Sequence, residues 1–234
     1  MFLKTVSTGS IGNCYLLQEN NGETLILDCG VPLKDIKKGL DWNIRNVAGC
    51  IVTHEHKDHS RSVKDLRNMG IRVIAPYESG EVHSMHFKLG GFDIQAFEVP
   101  HNGTWCNGFY IKTPLPDEQR ILYMTDLEYS PYSFKKQRIN HMLIECNYIA
   151  DMVDSDLPNF CHKVKGHCEL QTTKGIVETN NSTDLRTVIL CHMGCKTCDN
   201  DRIVAEVQKV APQAHVCVAE PWKTIELRTD NCPF

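Results

Sequence analysis

The segment Thr53-His54-Glu55-His56-Lys57-Asp58-His59 constrains this chain more than any other stretch. Three histidines and an aspartate crowd together directly after the apolar run 47–52, which reads as a buried strand. Residues two apart in an extended loop project to the same side, so His54 and His56 can grip one metal ion. Asp58 and His59 point away from that pair and suit a second ion nearby. Imidazole with carboxylate is borderline ligand chemistry, fitting zinc, iron or manganese better than calcium. A closed site needs more ligands, so the fold has to deliver them from the ends of other strands. Three residues stand in such places. His101 follows Glu98-Val99-Pro100, Asp126 follows Ile121-Leu122-Tyr123-Met124-Thr125, and His192 follows Val188-Ile189-Leu190-Cys191.

Apolar periodicity alternates between strand and helix along the chain. Strands are expected at 2–6, 14–17, 24–27, 47–52, 71–75, 93–99, 109–113, 121–124, 142–144, 185–190 and 215–218. Asn21-Gly22 marks a hairpin turn before the third of them. Ser60 reads as the cap of a helix carrying Val63, Leu66 and Met69 on one face and ended by Gly70. Helices are also expected at 169–179, with Leu170, Thr173 and Val177 aligned, and at 199–210, with Ile203, Val204, Val207 and Val210 inward. Residues 114–119 read as a loop. Without an internal repeat, low-complexity tract or linker, the pattern predicts a single α/β domain over residues 1–234.

Composition removes several classes. The 234 residues are enough to bury a sizeable core. A 41% hydrophobic, 23% charged chain with mean hydropathy −0.31 fits neither a membrane protein nor a disordered one. Met1-Phe2-Leu3-Lys4 turns polar at Thr5 without an apolar segment behind it, so a cytoplasmic location and no membrane partner are expected. A net charge of −4 gives no bulk attraction to nucleic acid. Local tracks remain for phosphate contact: Lys34-Asp35-Ile36-Lys37-Lys38, Lys135-Lys136-Gln137-Arg138 and Lys163-Val164-Lys165.

The twelve cysteines are expected to be reduced thiols packing as small hydrophobes, because disulfide frameworks belong to short secreted chains. Cys191, Cys195 and Cys198 are also spaced like part of a zinc knuckle around His192, with Cys161 and Cys168 available to complete it. In that arrangement His192 would serve a structural site. His83, His86, His141, His162 and His215 have no motif context and read as structural or surface residues.

The series His54/His56/Asp58/His59, His101, Asp126 and His192, in that order, resembles the metallo-β-lactamase superfamily over most of the chain. Ser7-Thr8-Gly9-Ser10-Ile11-Gly12-Asn13-Cys14 and Leu25-Ile26-Leu27-Asp28-Cys29-Gly30 are similar to the opening of its YycJ-like branch. Leu143-Ile144-Glu145-Cys146-Asn147-Tyr148 and Gly166-His167 match further segments of it. That branch comprises cytoplasmic bacterial metallohydrolases linked to DNA exonuclease activity and grouped near ribonucleases Z and J. The resemblance implies a four-layer αββα sandwich with two divalent ions, zinc or manganese with iron as a further option, at one edge between the sheets. It implies that His54, His56 and His101 hold one ion, that Asp58, His59 and His192 hold the other, and that Asp126 bridges. Asp28 would be a supporting carboxylate. The branch usually continues its Gly-His with Leu-Ser-Asn, where this chain has Cys168-Glu169-Leu170, and here the last ligand opens His192-Met193-Gly194-Cys195 in place of His-Leu-Ser. Those departures fall at the substrate end of the site.

A two-metal site activates water and clamps the phosphoryl oxygens of an in-line displacement. The resemblance implies that Asp58 orients or deprotonates the water while ligating. His167 is the candidate proton donor to the leaving alcohol, with Glu145 keeping it oriented and protonated. Ser10 and Asn13 lie in a glycine-containing loop whose amides can cradle a phosphate, or which simply makes a tight turn between two strands. The leading expectation is a metal-dependent phosphodiesterase acting on nucleic acid, DNA favoured, as an exonuclease. A small-molecule phosphodiesterase or thioester hydrolase, and a catalytically idle metal-binding interaction protein, are the alternatives.

Overall fold

Several strands of this chain are apolar on both faces, so they need cover on both sides. The computed structural model describes residues 1–80, 83–154, 156, 164–194 and 196–228 and shows how that cover is supplied. One six-stranded sheet has the order β13 (Thr224–Glu226), β1 (Phe2–Ser7), β2 (Cys14–Gln18), β3 (Thr24–Leu27), β4 (Val47–Ile51), β5 (Val73–Ile74). A seven-stranded sheet has the order β12 (His215–Val218), β11 (Thr187–Cys191), β10 (His141–Glu145), β9 (Arg120–Met124), β8 (Thr104–Lys112), β7 (Phe92–His101), β6 (Ser84–Leu89). The helices are α1 (Leu33–Gly39), α2 (Lys57–Ser60), α3 (Val63–Asn68), α4 (Leu170–Asn180) and α5 (Asn200–Val210).

Period-two alternation divides the core into three layers. Tyr15, Leu17, Leu25 and Leu27 of the first sheet meet Phe109, Ile121, Tyr123, Leu143 and Ile189 of the second in the central layer. Their neighbours Leu16, Ile26 and Cys50 point outward onto Ile36 of α1 and Val63 and Leu66 of α3. On the far side, Leu122, Met124, Met142, Ile144, Val188 and Leu190 pack under α4 and α5 through Leu170, Val177, Ile203 and Val207. Each of these large apolar side chains contributes about 1.5–3 kcal/mol on leaving water. The result is the four-layer αββα sandwich. No helix among the described residues is long and apolar enough to cross a membrane.

Strands β3, β4 and β5 run parallel, as do β9, β10, β11 and β12. Their C-terminal ends therefore gather at one edge of the sandwich, the place where open α/β sheets bind ligands.

Several local expectations are corrected. Ser60 is the last residue of α2, and its hydroxyl donates to the carbonyls of Glu55 (2.7 Å) and His56 (3.0 Å) without capping α3. The strand expected at 71–75 shortens to β5. Four elements were not expected, the single turn α2 within the histidine motif among them. α1 is a short charged helix whose inward side chain is Ile36, too brief for periodicity to register. β13 spans only three residues. β6, by contrast, alternates Met85, Phe87 and Leu89 with Ser84, His86 and Lys88, a strand signal present in the sequence. The two helices of the second half begin one residue after their caps: the Glu169 carboxylate accepts from Gln171 N, and the Asp199 carboxylate accepts from Arg202 N.

His141 opens β10 fully buried, and neither of its ring nitrogens has a hydrogen-bond partner. Burial, and then the nearby Arg186 charge, push its pKa from 6.5 down to about 3. The folded imidazole stays neutral while the unfolded one takes a proton below 6.5, so stability is lost as pH falls from 6.5 toward 3. His141→Leu is expected to be more stable than wild type at pH 5 by about 2 kcal/mol beyond any difference at pH 8. Urea melts at the two pH values check this, and an equal difference at both contradicts it.

Candidate metal centre

The strand ends converge as follows. His54 and His56 follow β4, and Asp58 and His59 sit on the single turn of α2. His101 closes β7, Asp126 lies just beyond β9, Glu145 closes β10, and His192 follows β11. Asp28 follows β3. Asp28, Asp126 and His192 have φ of 56°, 52° and 50°, the left-handed region that non-glycine residues rarely adopt. Each such residue costs about 1–2 kcal/mol, and here it ends a strand by turning a polar side chain into the shared edge.

Two groups of ligand atoms result, each within 4.8 Å: His54, His56 and His101, and Asp58, His59, Asp126 and His192. Asp126 faces both. Its Oδ1 is 3.2 Å from His59 Nε2 and 3.0 Å from His192 Nδ1, while its Oδ2 is 3.9 Å from His54 Nε2 and 4.0 Å from His101 Nε2. A third, overlapping group joins Asp126 and His192 to Glu145 and His167.

The ring nitrogens on the far side are tied down, and this fixes which nitrogen faces inward. His59 Nδ1 donates to Asp28 Oδ2 at 2.7 Å, His101 Nδ1 to the Gly166 carbonyl at 2.6 Å, and His192 Nδ1 to Glu145 Oε1 at 2.7 Å. Thr53 Oγ1 lies 3.0 Å from His54 Nδ1. The Nε2 atoms of His54 and His192 are buried with no hydrogen-bond partner. His101 Nε2 and His56 Nδ1 face each other at 3.4 Å, a contact between ring nitrogens that a cation relieves. Orphaned inward nitrogens backed by carboxylate and carbonyl acceptors fit a divalent metal.

Asp28 is the hub behind this arrangement. It is fully buried and accepts from His59, from the Thr53 amide (2.8 Å) and hydroxyl (3.1 Å), and from the Tyr123 hydroxyl (2.5 Å). Thr53 opens the histidine motif and Thr8 lies in the glycine-containing opening segment, but spacing assigns neither a role, nor one to Tyr123. The Thr8 hydroxyl accepts the His192 amide at 2.9 Å.

The charges are mutually sustaining. Burial works against ionisation of Asp126, yet His192 and His59 hold its carboxyl well below the usual range. Burial likewise opposes charge on His59, and the Asp126 and Asp28 carboxylates overcome it and raise that imidazole well above its ordinary value. His54 is pushed well below by burial and then by His59, which favours the neutral, ligating form. Burial pushes His101 down as well.

The expected Glu145–His167 pair is present, with His167 Nδ1 donating to Oε1 at 2.7 Å. Not foreseen from spacing, the same oxygen also holds His192, and Oε2 accepts the amides of Leu127 and Cys168, each at 3.1 Å. Asn13, expected to face a substrate, is instead fully buried. Its amide exchanges hydrogen bonds with Gly9 (2.9 and 3.1 Å), and its nitrogen lies 2.9 Å from His59 Nε2. It therefore braces the loop. Ser10 is exposed and lines a cleft of about 450 Å³ with Ile11, Gly30, Lys57, Asp58 and Arg61. Gly30 is required there, since a Cβ would stand 1.7 Å from the Asp58 carbonyl oxygen.

The knuckle around His192 does not form among the described residues. Cys191 is buried between the sheets, Cys198 Sγ donates to the Asn147 carbonyl at 3.0 Å, and no cysteine joins a candidate metal group. Cys161 and Cys195 lie outside the described residues, as do His162 and Lys163. Cys14, Cys29, Cys50, Cys106, Cys146, Cys168, Cys191 and Cys217 are free thiols. Of the basic tracks, Arg138 is paired with Asp184, and Lys38 lies over the Trp222 ring at 4.3 Å. His83 and His86 are exposed and pair with Glu98 and Asp93, and His215 is exposed.

Comparison with known proteins agrees with this geometry. The family model described as the metallo-beta-lactamase superfamily matches residues 7–129. No curated protein matches the sequence. Among solved structures, the chain is similar to the metallo-beta-lactamase fold protein YhfI from Bacillus subtilis, at 17% identity and TM-score 0.70, covering 96% of this chain and 98% of that one. It is similar to the short form of human tRNase Z at 15% identity and TM-score 0.63, covering 97% and 100%. A diphosphatase from the PhnP family matches at 12% identity and TM-score 0.65, covering 97% and 98%. At these identities the likeness concerns the fold.

Proposed function

The chain belongs to the metallo-β-lactamase superfamily, and on that premise we propose that it is a dinuclear, metal-dependent phosphodiesterase acting on nucleic acid. Within that class the reading is a DNA exonuclease of the YycJ-like branch. The observation that carries the proposal is the pair of ligand groups sharing Asp126, with their histidines anchored from behind by Asp28, Glu145 and the Gly166 carbonyl. Solved neighbours described as a tRNase Z, a diphosphatase and yeast PDE1 support phosphate chemistry as the class.

His54, His56 and His101 would hold one ion and Asp58, His59 and His192 the other, with Asp126 between them. Zinc or manganese suits this donor set. Bound divalent ions would supply Lewis acidity, lowering the pKa of water toward neutrality and offsetting phosphoryl charge. Asp58 is the ligand carboxylate with a quarter of its side chain open to the cleft, and it is placed to orient the attacking water and take its proton. Glu145 accepts from His167 Nδ1 and orients the ring as the proton donor to the leaving alcohol.

The test is hydrolysis by the purified protein of bis(p-nitrophenyl) phosphate and of 5′-phosphorylated duplex DNA, with manganese or zinc and after chelation. Release of mononucleotides that stops on chelation is expected. Thioester hydrolysis without any phosphodiester cleavage overturns the reading.

A further inference from the structure

The cleft beside Asp58 holds two cations that the catalytic cluster does not use. Lys57 opens α2 and Arg61 follows its last residue, with Arg61 N donating to the Lys57 carbonyl at 3.1 Å. Four residues apart on one helical turn, the two side chains leave from the same face. Both are exposed and both line the cleft with Ser10, Ile11 and Gly30. Some other basic side chains are paired, among them Arg67 with Glu78, Arg138 with Asp184, Lys174 with Glu206 and Arg202 with Asp151. No such partner is recorded among the described residues for Lys57 or Arg61. The nearest carboxylate in sequence, Asp58, is turned inward, its Oδ2 3.5 Å from His59 Nε2 and 3.8 Å from His192 Nε2.

We propose that this cleft is a subsite for a second phosphate of the substrate, held by Lys57 and Arg61 beside the diester that is cleaved. The inference rests on the phosphodiesterase reading and adds a substrate requirement to it. A guanidinium and an ammonium on one face match a phosphate, the first through paired N–H donors and the second as a point charge. A cleft of about 450 Å³ has room for a phosphate and its attached sugar. Ile11, 82% exposed at the loop tip, offers that sugar or its base an apolar wall. Asp58 closes the cleft on the side of the metal-ligand cluster, so the two phosphates would be neighbours along one chain. The second phosphate can come from the terminal group of a small nucleotide or from the next link of a strand.

Binding, read without turnover, tests the subsite. The zinc-loaded protein is titrated by fluorescence anisotropy with a labelled eight-nucleotide single strand whose links are cleavage-resistant phosphorothioates. The label is then competed with a thymidine dinucleotide carrying only its phosphorothioate link and with the same dinucleotide 5′-phosphorylated. Wild type is expected to prefer the phosphorylated dinucleotide by about tenfold. The double variant Lys57→Ala/Arg61→Ala is expected to lose that preference and to bind the eight-nucleotide strand with a salt slope smaller by about 0.7, the value for one phosphate contact. Both positions are exposed, so an unchanged melting temperature and metal content identify a folded variant. A small nucleotide as the source predicts no gain from dinucleotide to eight-nucleotide strand, whereas a strand predicts a further gain. An equal preference in wild type and variant, or none in wild type, overturns the subsite. Wild-type protein that shows the preference yet hydrolyses no phosphodiester contradicts the function proposed above and leaves the subsite standing.

Discussion

Asp126→Ala is expected to bind less than two equivalents of metal and to lose about a thousandfold in phosphodiester kcat/KM, a loss of several kcal/mol in transition-state stabilisation. The reason is position. One carboxylate oxygen faces His59 and His192 and the other faces His54 and His101, so a single side chain belongs to both ligand groups. It also carries the negative charge that balances the surrounding imidazoles, which is why its carboxyl stays ionised despite complete burial. Asp126→Asn keeps the shape and the Thr125 hydroxyl contact at 2.8 Å while removing the charge. It should show the same loss with a near-native melt, which separates ligation from folding. Elemental analysis with kinetics on both variants checks this. Two bound ions and a wild-type rate in Asp126→Asn contradict the bridging role.

Glu145→Ala is expected to be the most destabilising single change at the site, by about 3–5 kcal/mol. The carboxylate is fully buried and accepts from His167, His192 and the amides of Leu127 and Cys168. Truncation leaves these donors without an acceptor, and each buried orphan costs about 1–3 kcal/mol. For a chain of this size the melting temperature should fall by about 10 °C or more. Burial opposes ionisation of Glu145, while His167 and His192 lower its pKa in the folded state. Its stabilisation is therefore present above the ordinary carboxyl value of 4.5 and disappears as pH falls below it. Wild type and Glu145→Ala should thus differ strongly in melting temperature at pH 7 and draw together as pH drops below 4.5. A pH-independent gap contradicts the assignment of the stabilisation to the charged form.

Much of this was legible because the strands are buried on both faces. Runs such as 121–124 and 185–190 announced themselves by uninterrupted apolar character, and the polar residues ending them stood out by contrast. His101, Asp126 and His192 were visible for that reason. The supporting residues were not. Thr53, Thr8 and Tyr123 act through contacts across the sheets, such as Tyr123 reaching Asp28 from β9, and no spacing in one dimension encodes such a meeting. Which way Asn13 faces is not legible, because a glycine-rich turn looks alike whether its amide faces a ligand or folds back onto His59. Lys57 and Arg61 were overshadowed by the ligands they flank. Their relation to the cleft depends on the single turn of α2, which local pattern reads only as loop.

The central claim is that two ions act together in one site. It is tested most directly by the rate of bis(p-nitrophenyl) phosphate hydrolysis as metal is added stepwise to the metal-free protein. A rate that climbs to a break at two equivalents per chain is the predicted result. A break at one equivalent, or no hydrolysis at any loading, would contradict it.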